Sequence, residues 1–292
     1  MKRYLSFVLI VFLLGLLGGC TDNDAMIPAW KIVSPRILAI AVDEPVFAPG
    51  DEITFSALIA DLDVTERGGS LAEWTLGNTL KSVSLDGSAS FTVPAADDID
   101  LFFGATAQGD YIATGRAAVQ VHLTVRLADG RTLLARKDLL LVSPSVKEAL
   151  QYENPSVKRI LVTVPGVEGL SVEPGATVDL PDGLQAERIS LAAVLKESSV
   201  IEKYRYRWYL EPTTASEKVA LYGDLAVSSV ELTVPRLAPV RVHLVIEDAS
   251  EEEKTTPYHG GVAFLSFMVT IGDGPNDDDS SSPDEDALSP DA

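Results

Sequence analysis

The sequence predicts an all-β protein made of two tandem antiparallel β-sandwiches, and three observations carry that prediction. Five landmarks occur twice along the chain in the same order. Most of them alternate apolar and polar residues with the period of a strand. Pairs rich in glycine, proline and aspartate punctuate the runs, while helix-period segments are nearly absent.

The first landmark is Arg36-Ile37-Leu38 with Ile40 and Val42, matched by Arg159-Ile160-Leu161 with Val162 and Val164. The second is Ala48-Pro49-Gly50 against Glu173-Pro174-Gly175, each followed by an alternating run. A tryptophan comes third, Trp74 in one copy and Trp208 in the other. Phe91-Thr92-Val93-Pro94 then answers to Leu232-Thr233-Val234-Pro235. Last, Val119-Gln120-Val121-His122-Leu123 answers to Val240-Arg241-Val242-His243-Leu244. A common order of five landmarks points to duplication of one unit.

Alternation says which side chains face inward. Val119, Val121, Leu123 and Val125 form one face, with Gln120, His122, Thr124 and Arg126 on the other. The second copy repeats this with Val240, Val242, Leu244 and Ile246, so His122 and His243 are expected on outward-facing positions. Tyr204, Tyr206, Trp208 and Leu210 alternate with Arg205 and Arg207, which points the tryptophan into a core. Asp129-Gly130 between two such runs is a hairpin signal. The main helix candidate is Val146 to Tyr152, between the copies. At 292 residues the chain is long enough for two cores. The expected sandwiches are residues 33–145 and 153–273, joined by a linker at 146–152.

Short strands around one tryptophan per copy, with the Tyr206-Arg207-Trp208-Tyr209 stretch, resemble bacterial immunoglobulin-like or PKD-like domains. The resemblance implies a two-sheet sandwich. The inter-sheet cysteine pair of antibody domains is missing, so stability is expected from apolar burial alone.

The first residues carry a different signal. Lys2 and Arg3 precede an apolar run from Leu5 to Leu17, of signal-peptide length and short for a ~20-residue membrane span. The run ends in Leu17-Gly18-Gly19-Cys20, which resembles the lipobox of bacterial lipoproteins. That resemblance implies removal of residues 1–19, diacylglycerol on the Cys20 sulfur and a fatty acid on the new amino group. Cys20 is the sole cysteine, standing where lipidation needs it. Two or three acyl chains anchor a protein stably where one does not. Thr21, where aspartate would favour inner-membrane retention, implies the outer membrane. Residues 20–32 form the expected tether, reaching at most ~40 Å when extended.

Charge bounds the partners. The formal net charge is −20, and loss of Lys2 and Arg3 makes the mature chain more negative still. Such a surface repels phosphate backbones, which excludes nucleic acid as a partner. Residues 274–292 hold acids, serine and proline with no base, and are expected to form a disordered acidic tail.

Catalytic patterns are missing from the sequence: there is no Gly-x-Ser-x-Gly, no His-Glu-x-x-His and no phosphate-binding glycine loop. No cofactor or metal is implied, and the reading is of a protein that is not an enzyme. Glu247-Asp248, Glu251-Glu252-Glu253 and His259 form an acidic stretch that a solvated loop explains better than a calcium site. The connection from Pro94 to Val119 is much longer than that from Pro235 to Val240, which leaves an insert at about Ala95 to Thr114. Leu101, Phe102, Phe103 and Tyr111 in it are the candidate binding loop, for an envelope protein or, as the alternative, a polysaccharide. The competing expectation is that these aromatics fold back and cover a sheet edge. A smaller insert is expected near Glu211 to Tyr222.

Overall fold

In the computed structural model the described residues are 28–60, 69–150, 154–173, 175–180, 188–196, 204–212, 220–222, 227–233, 239–248 and 261–271. Cys20, the acidic tail, Glu251-Glu252-Glu253 and His259 lie outside them. The fold is all-β, two antiparallel sandwiches in tandem.

The first unit has strands β1 (Arg36–Val42), β2 (Val46–Phe47), β3 (Glu52–Ala60), β4 (Leu71–Leu76), β5 (Thr79–Ser84), β6 (Ala89–Thr92), β7 (Arg116–Arg126) and β8 (Thr132–Val142). They make sheets in the orders β1-β3-β6 and β2-β8-β7-β4-β5. The second unit has β9 (Val157–Val164), β10 (Val167–Val172), β11 (Thr177–Leu180), β12 (Arg188–Leu195), β13 (Tyr204–Pro212), β14 (Leu221–Tyr222), β15 (Ser229–Thr233), β16 (Val240–Asp248) and β17 (Val262–Ile271). Its sheets run β10-β9-β12-β15-β14 and β11-β17-β16-β13.

One plan underlies both. The order β1-β3-β6 answers to β9-β12-β15, and β2-β8-β7-β4 answers to β11-β17-β16-β13. In each unit a short strand pairs in parallel with the last one, β2 with β8 and β11 with β17. Register makes the correspondence residue-exact: Trp74 faces Leu123 across β4 and β7, and Trp208 faces Leu244 across β13 and β16. Both tryptophans are 1% exposed, each within its own apolar core. Trp74 stacks on Phe55 with centroids 5.7 Å apart, whereas the Trp208 indole N–H donates to the Val227 carbonyl at 3.1 Å.

Four features depart from the sequence reading. The Pro-Gly turns are not equivalent: Gly50 leads into β3, in the middle of its sheet, while Gly175 leads into the short β11. The insert is helical, with a 3-10 turn at Ala96–Asp98 and helices α1 (Ile99–Phe103) and α2 (Ala105–Thr114). Its helical period escapes a sequence scan because two short helices bury only Ile99 and Ala107 fully. Gly115, at φ 70°, ends α2 by donating its N–H to the Tyr111 carbonyl. The linker is a helix, α3 (Pro144–Leu150), starting two residues earlier than its expected position.

The fourth departure is the tether. Residues 30–32 lie along β13 of the second sandwich rather than on the first. The Ile32 N–H donates to the Leu210 carbonyl at 2.8 Å, and the Leu210 N–H to the Trp30 carbonyl at 2.9 Å. Ile32 is buried and Trp30 packs against the second core. The chain is thus fastened to the second unit before it enters the first.

Candidate functional site

The two sandwiches meet through one sheet face of each. Leu38, Ala39 and Leu58 of β1 and β3 pack on Tyr209, Val245, Val262 and Phe264 of the β13-β16-β17 face. Val245 is wholly buried although it points away from its own core. Around this patch, the Asn154 amide donates to the carbonyls of Val42 at 2.7 Å and Asp43 at 2.6 Å. The Lys147 ammonium of α3 pairs with Asp51 at 2.7 Å and with Glu44. Arg36 lies over the Tyr209 ring, 5.4 Å from its centroid.

Beside the apolar patch the same face carries a polar cluster. Glu211 comes from β13, Arg241 and His243 from β16, and Ser266 from β17. His243 is directly opposite Ser266 in the ladder, and Glu211 opposite Arg241. The His243 side chain is 1% exposed, with Nε2 2.8 Å from Glu211 Oε2 and Nδ1 2.7 Å from Ser266 Oγ. Arg241 Nη1 donates to Glu211 Oε1 at 2.9 Å. An ionised carboxylate only accepts hydrogen bonds, so the imidazole carries a hydrogen on Nε2. The Ser266 hydroxyl, which can donate or accept, pairs with Nδ1. Both ring nitrogens are satisfied, as burial of an imidazole requires.

Arg241, His243 and Ser266 of this cluster floor a cleft of about 380 Å³ between the units. Ser56 and Leu58 of β3 and the Asp86-Gly87 turn form one wall; Arg241, His243, Phe264 and Ser266 form the other side. A second cleft of about 360 Å³ lies between β1, the Ala135–Asp138 stretch of β8 and Glu247. Glu247 is held there by Arg207 at 2.8 Å.

The chemistry available in the first cleft is recognition by hydrogen bonds around an aromatic side chain. The order hydroxyl, imidazole, carboxylate is also that of activated serine nucleophiles. Here, however, Ser266 sits within an extended strand, not on a sharp turn that thrusts its oxygen forward. Among the described residues no group of three or more His, Cys, Asp or Glu side chains is placed to hold a metal ion.

The insert is organised differently. Phe102, Phe103 and Tyr111 are half-buried and pack against the first core, and burial raises the Tyr111 pKa. The Phe102 and Phe103 rings meet edge to face at 73°, so they do not form a coplanar row. Leu101 is 71% exposed and Ile112 72% exposed. The Asn78 amide donates to the Leu101 carbonyl at 2.8 Å, tying α1 to the β4–β5 turn. A side chain on Gly77 would place its Cβ 2.3 Å from the Phe102 carbonyl oxygen, and Gly77 has a φ of +56°. Only glycine fits there.

Sequence reasoning singled out His243 but placed it on an outward face, and it passed over Glu211, Arg241 and Ser266 as a group. The signal available was the run of polar residues on that face of the second copy. What it lacked was the knowledge that another module covers the face.

No family model matches this chain, and no curated protein matches it either. Among solved structures, extracellular domains 3–5 of Drosophila OTK align at 11% identity over 83% of this chain and 68% of that one, with a TM-score of 0.25. Human mucin-like protocadherin EC1-2 aligns at 11% identity over 80% of this chain and 98% of that one, TM-score 0.24. The Bacteroides ovatus mixed-linkage glucan utilization locus protein SGBP-B, in complex with a mixed-linkage heptasaccharide, aligns at 10% identity, TM-score 0.22. That alignment covers 82% of this chain and 48% of SGBP-B. At these scores the likenesses decide nothing about the site, whose description rests on this chain's own geometry.

Proposed function

We propose that this chain is a lipid-anchored, non-catalytic cell-envelope protein, held by acyl chains on Cys20 in the outer membrane. Its two sandwiches present the cleft at their junction to an envelope component. The observation that carries the anchor is the order of Lys2-Arg3, apolar run and Leu17-Gly18-Gly19-Cys20 at the start of the chain. The observation that favours binding over chemistry is the cleft lined by Arg241, His243 and Ser266, in which the hydroxyls of Ser56 and Ser266 both lie within extended strands.

Growth of cells with an alkyne fatty acid tests the anchor. The wild-type protein is expected to take up label and sediment with membranes, and Cys20→Ala to lose both properties. An unlabelled wild-type protein recovered in the soluble fraction would overturn the anchor. A fluorophosphonate probe tests the rest: Ser266 is expected to stay unmodified, and stoichiometric labelling that His243→Ala abolishes would replace binding with acyl-transfer chemistry.

A further inference from the structure

We infer that the outward face of β4, β7 and β8 is an assembly surface that receives a second copy of this chain, head to tail, on that copy's β9-β12 face. The inference goes beyond the binding function proposed above and uses neither the junction cleft nor its ligand. The two units stack as four sheets: β9-β12-β15, then β13-β16-β17, then β1-β3, and last β4-β7-β8. The junction joins the two inner sheets. The two outer ones are their duplicated counterparts, since β9-β12 repeats β1-β3 and β4-β7-β8 repeats β13-β16-β17. The chain thus carries at its opposite ends the same two kinds of face that meet in its middle. Unlike faces that fit each other give a heterologous, head-to-tail contact between copies.

Register places the contacting residues. At the junction Leu38, Ala39 and Leu58 lie on Tyr209, Val245 and Phe264. Leu161 stands in β9 where Leu38 stands in β1, and it faces Ala192 across its ladder as Ala39 faces Leu58. Both alternate with core residues of the second unit and so point outward, half-buried. On the receiving side Leu134 faces Thr124 as Phe264 faces Val245, so Leu134 occupies the place of the ring that helps close the junction. Its side chain is 76% exposed. Leu80, 60% exposed, lies on the same face opposite Thr75, the counterpart of Tyr209. Large apolar side chains at these places suit a contact surface better than the polar cap that ends a stack. Helix α3 packs on this face at its Leu140 and Val142 end and leaves Leu134 in solvent.

Charge fits the same alignment. Arg36 lies over the Tyr209 ring at the junction, and its counterpart Arg159 is exposed at the start of the β9-β12 face. Carried over to the receiving face, Arg159 arrives at Thr75, beside Glu73, which stands where the second unit has Arg207. An arginine then meets a carboxylate between copies in place of the ring it meets within the chain. With Thr124 where the junction has Val245, this contact is weaker than the internal one, so copies associate reversibly.

Sedimentation velocity of the full mature chain carrying Cys20→Ala tests this. The average mass is expected to rise with concentration beyond that of a dimer, because each added copy leaves a face free for the next. Leu134→Glu and Leu161→Glu, one on each face, are each expected to weaken self-association about tenfold or more. Mixed in equal amounts they are expected to form a one-to-one complex and go no further, since each variant keeps the face that the other has lost. Arg159→Glu, a change at an exposed side chain, is expected to weaken association about threefold. The Cys20→Ala chain has no cysteine, so Thr124→Cys in one sample and Ala192→Cys in another supply the only thiols. Oxidation of their mixture is expected to join one variant to the other, as Val245 and Leu58 meet at the junction. A monomer at every concentration overturns the inference. So does a dimer that Leu134→Glu abolishes and Leu161→Glu leaves intact, a mixture of these two variants that stays monomeric, or oxidation that joins only like variants.

Discussion

Strands β7 and β16 occupy the same place in the two sandwiches, and their outward faces have opposite surroundings. His122 of β7 faces Thr75 and Arg136 across its ladders and is exposed. His243 of β16 faces Tyr209 and Ser266 in the equivalent register and is buried. One position further along the same face, half-buried Thr124 answers to Val245, which is wholly buried. The difference comes from outside the unit: the first sandwich lays Leu38 and Leu58 on the face of the second, while the matching face of the first carries Gln120, His122 and Arg126 in solvent. A duplicated position keeps its backbone pairing, and its energetics follow whatever covers it.

Paired substitutions break or sharpen that comparison. Val245→Asp places an unpaired charge under the first sandwich and is expected to cost about 4 kcal/mol or more, whereas Thr124→Asp stays within about 0.5 kcal/mol. Urea denaturation of the two variants measures the gap; equal losses would mean the junction face is not closed in solution. His243→Ala comes next. It leaves Glu211 short of a donor and opens a hole, for about 1–3 kcal/mol, against almost nothing for His122→Ala in the same assay.

Ser266→Ala removes only the hydroxyl paired with His243 Nδ1 and is expected to cost about 1 kcal/mol, while Arg136→Ala at the matching exposed position is neutral by thermal melting. The smallest effect concerns pH. Burial lowers the Lys147 pKa, but hydrogen bonds from its ammonium to Asp51 and Glu44 outweigh burial and hold it above the ordinary lysine value. A raised folded pKa stabilises below the unfolded value of 10.5 and loses that contribution as pH rises through the folded one. Lys147→Met should therefore flatten the alkaline edge of the stability profile and leave the neutral region nearly flat.

Much of the fold was legible because strand alternation is a local property. The Trp74 and Trp208 positions, the β7 and β16 faces and the repeat of Phe91 as Leu232 all follow from which residues alternate, and each is buried as its period requires. The equivalence of the Pro-Gly turns was not legible. A turn dipeptide marks a reversal of the chain without saying which strand follows, and β11 stands where a copy of β3 was expected. The helices of the insert were hidden for a related reason. They are short, and their aromatics serve the first core from one side only. Of the candidate site, the sequence marked His243, but its partners Glu211 and Ser266 lie on two other strands, and only pairing in the ladders brings them within hydrogen-bond distance.

The amino-acid order alone determined the duplicated all-β plan, the inward tryptophans and the motif at Cys20, since each depends on neighbours along the chain. Tertiary structure decided three other matters. It laid residues 30–32 on β13, folded the insert over the first core and closed one sandwich face against the other. These are contacts between segments far apart in sequence, and a residue's own pattern says which way it points but not what it meets there.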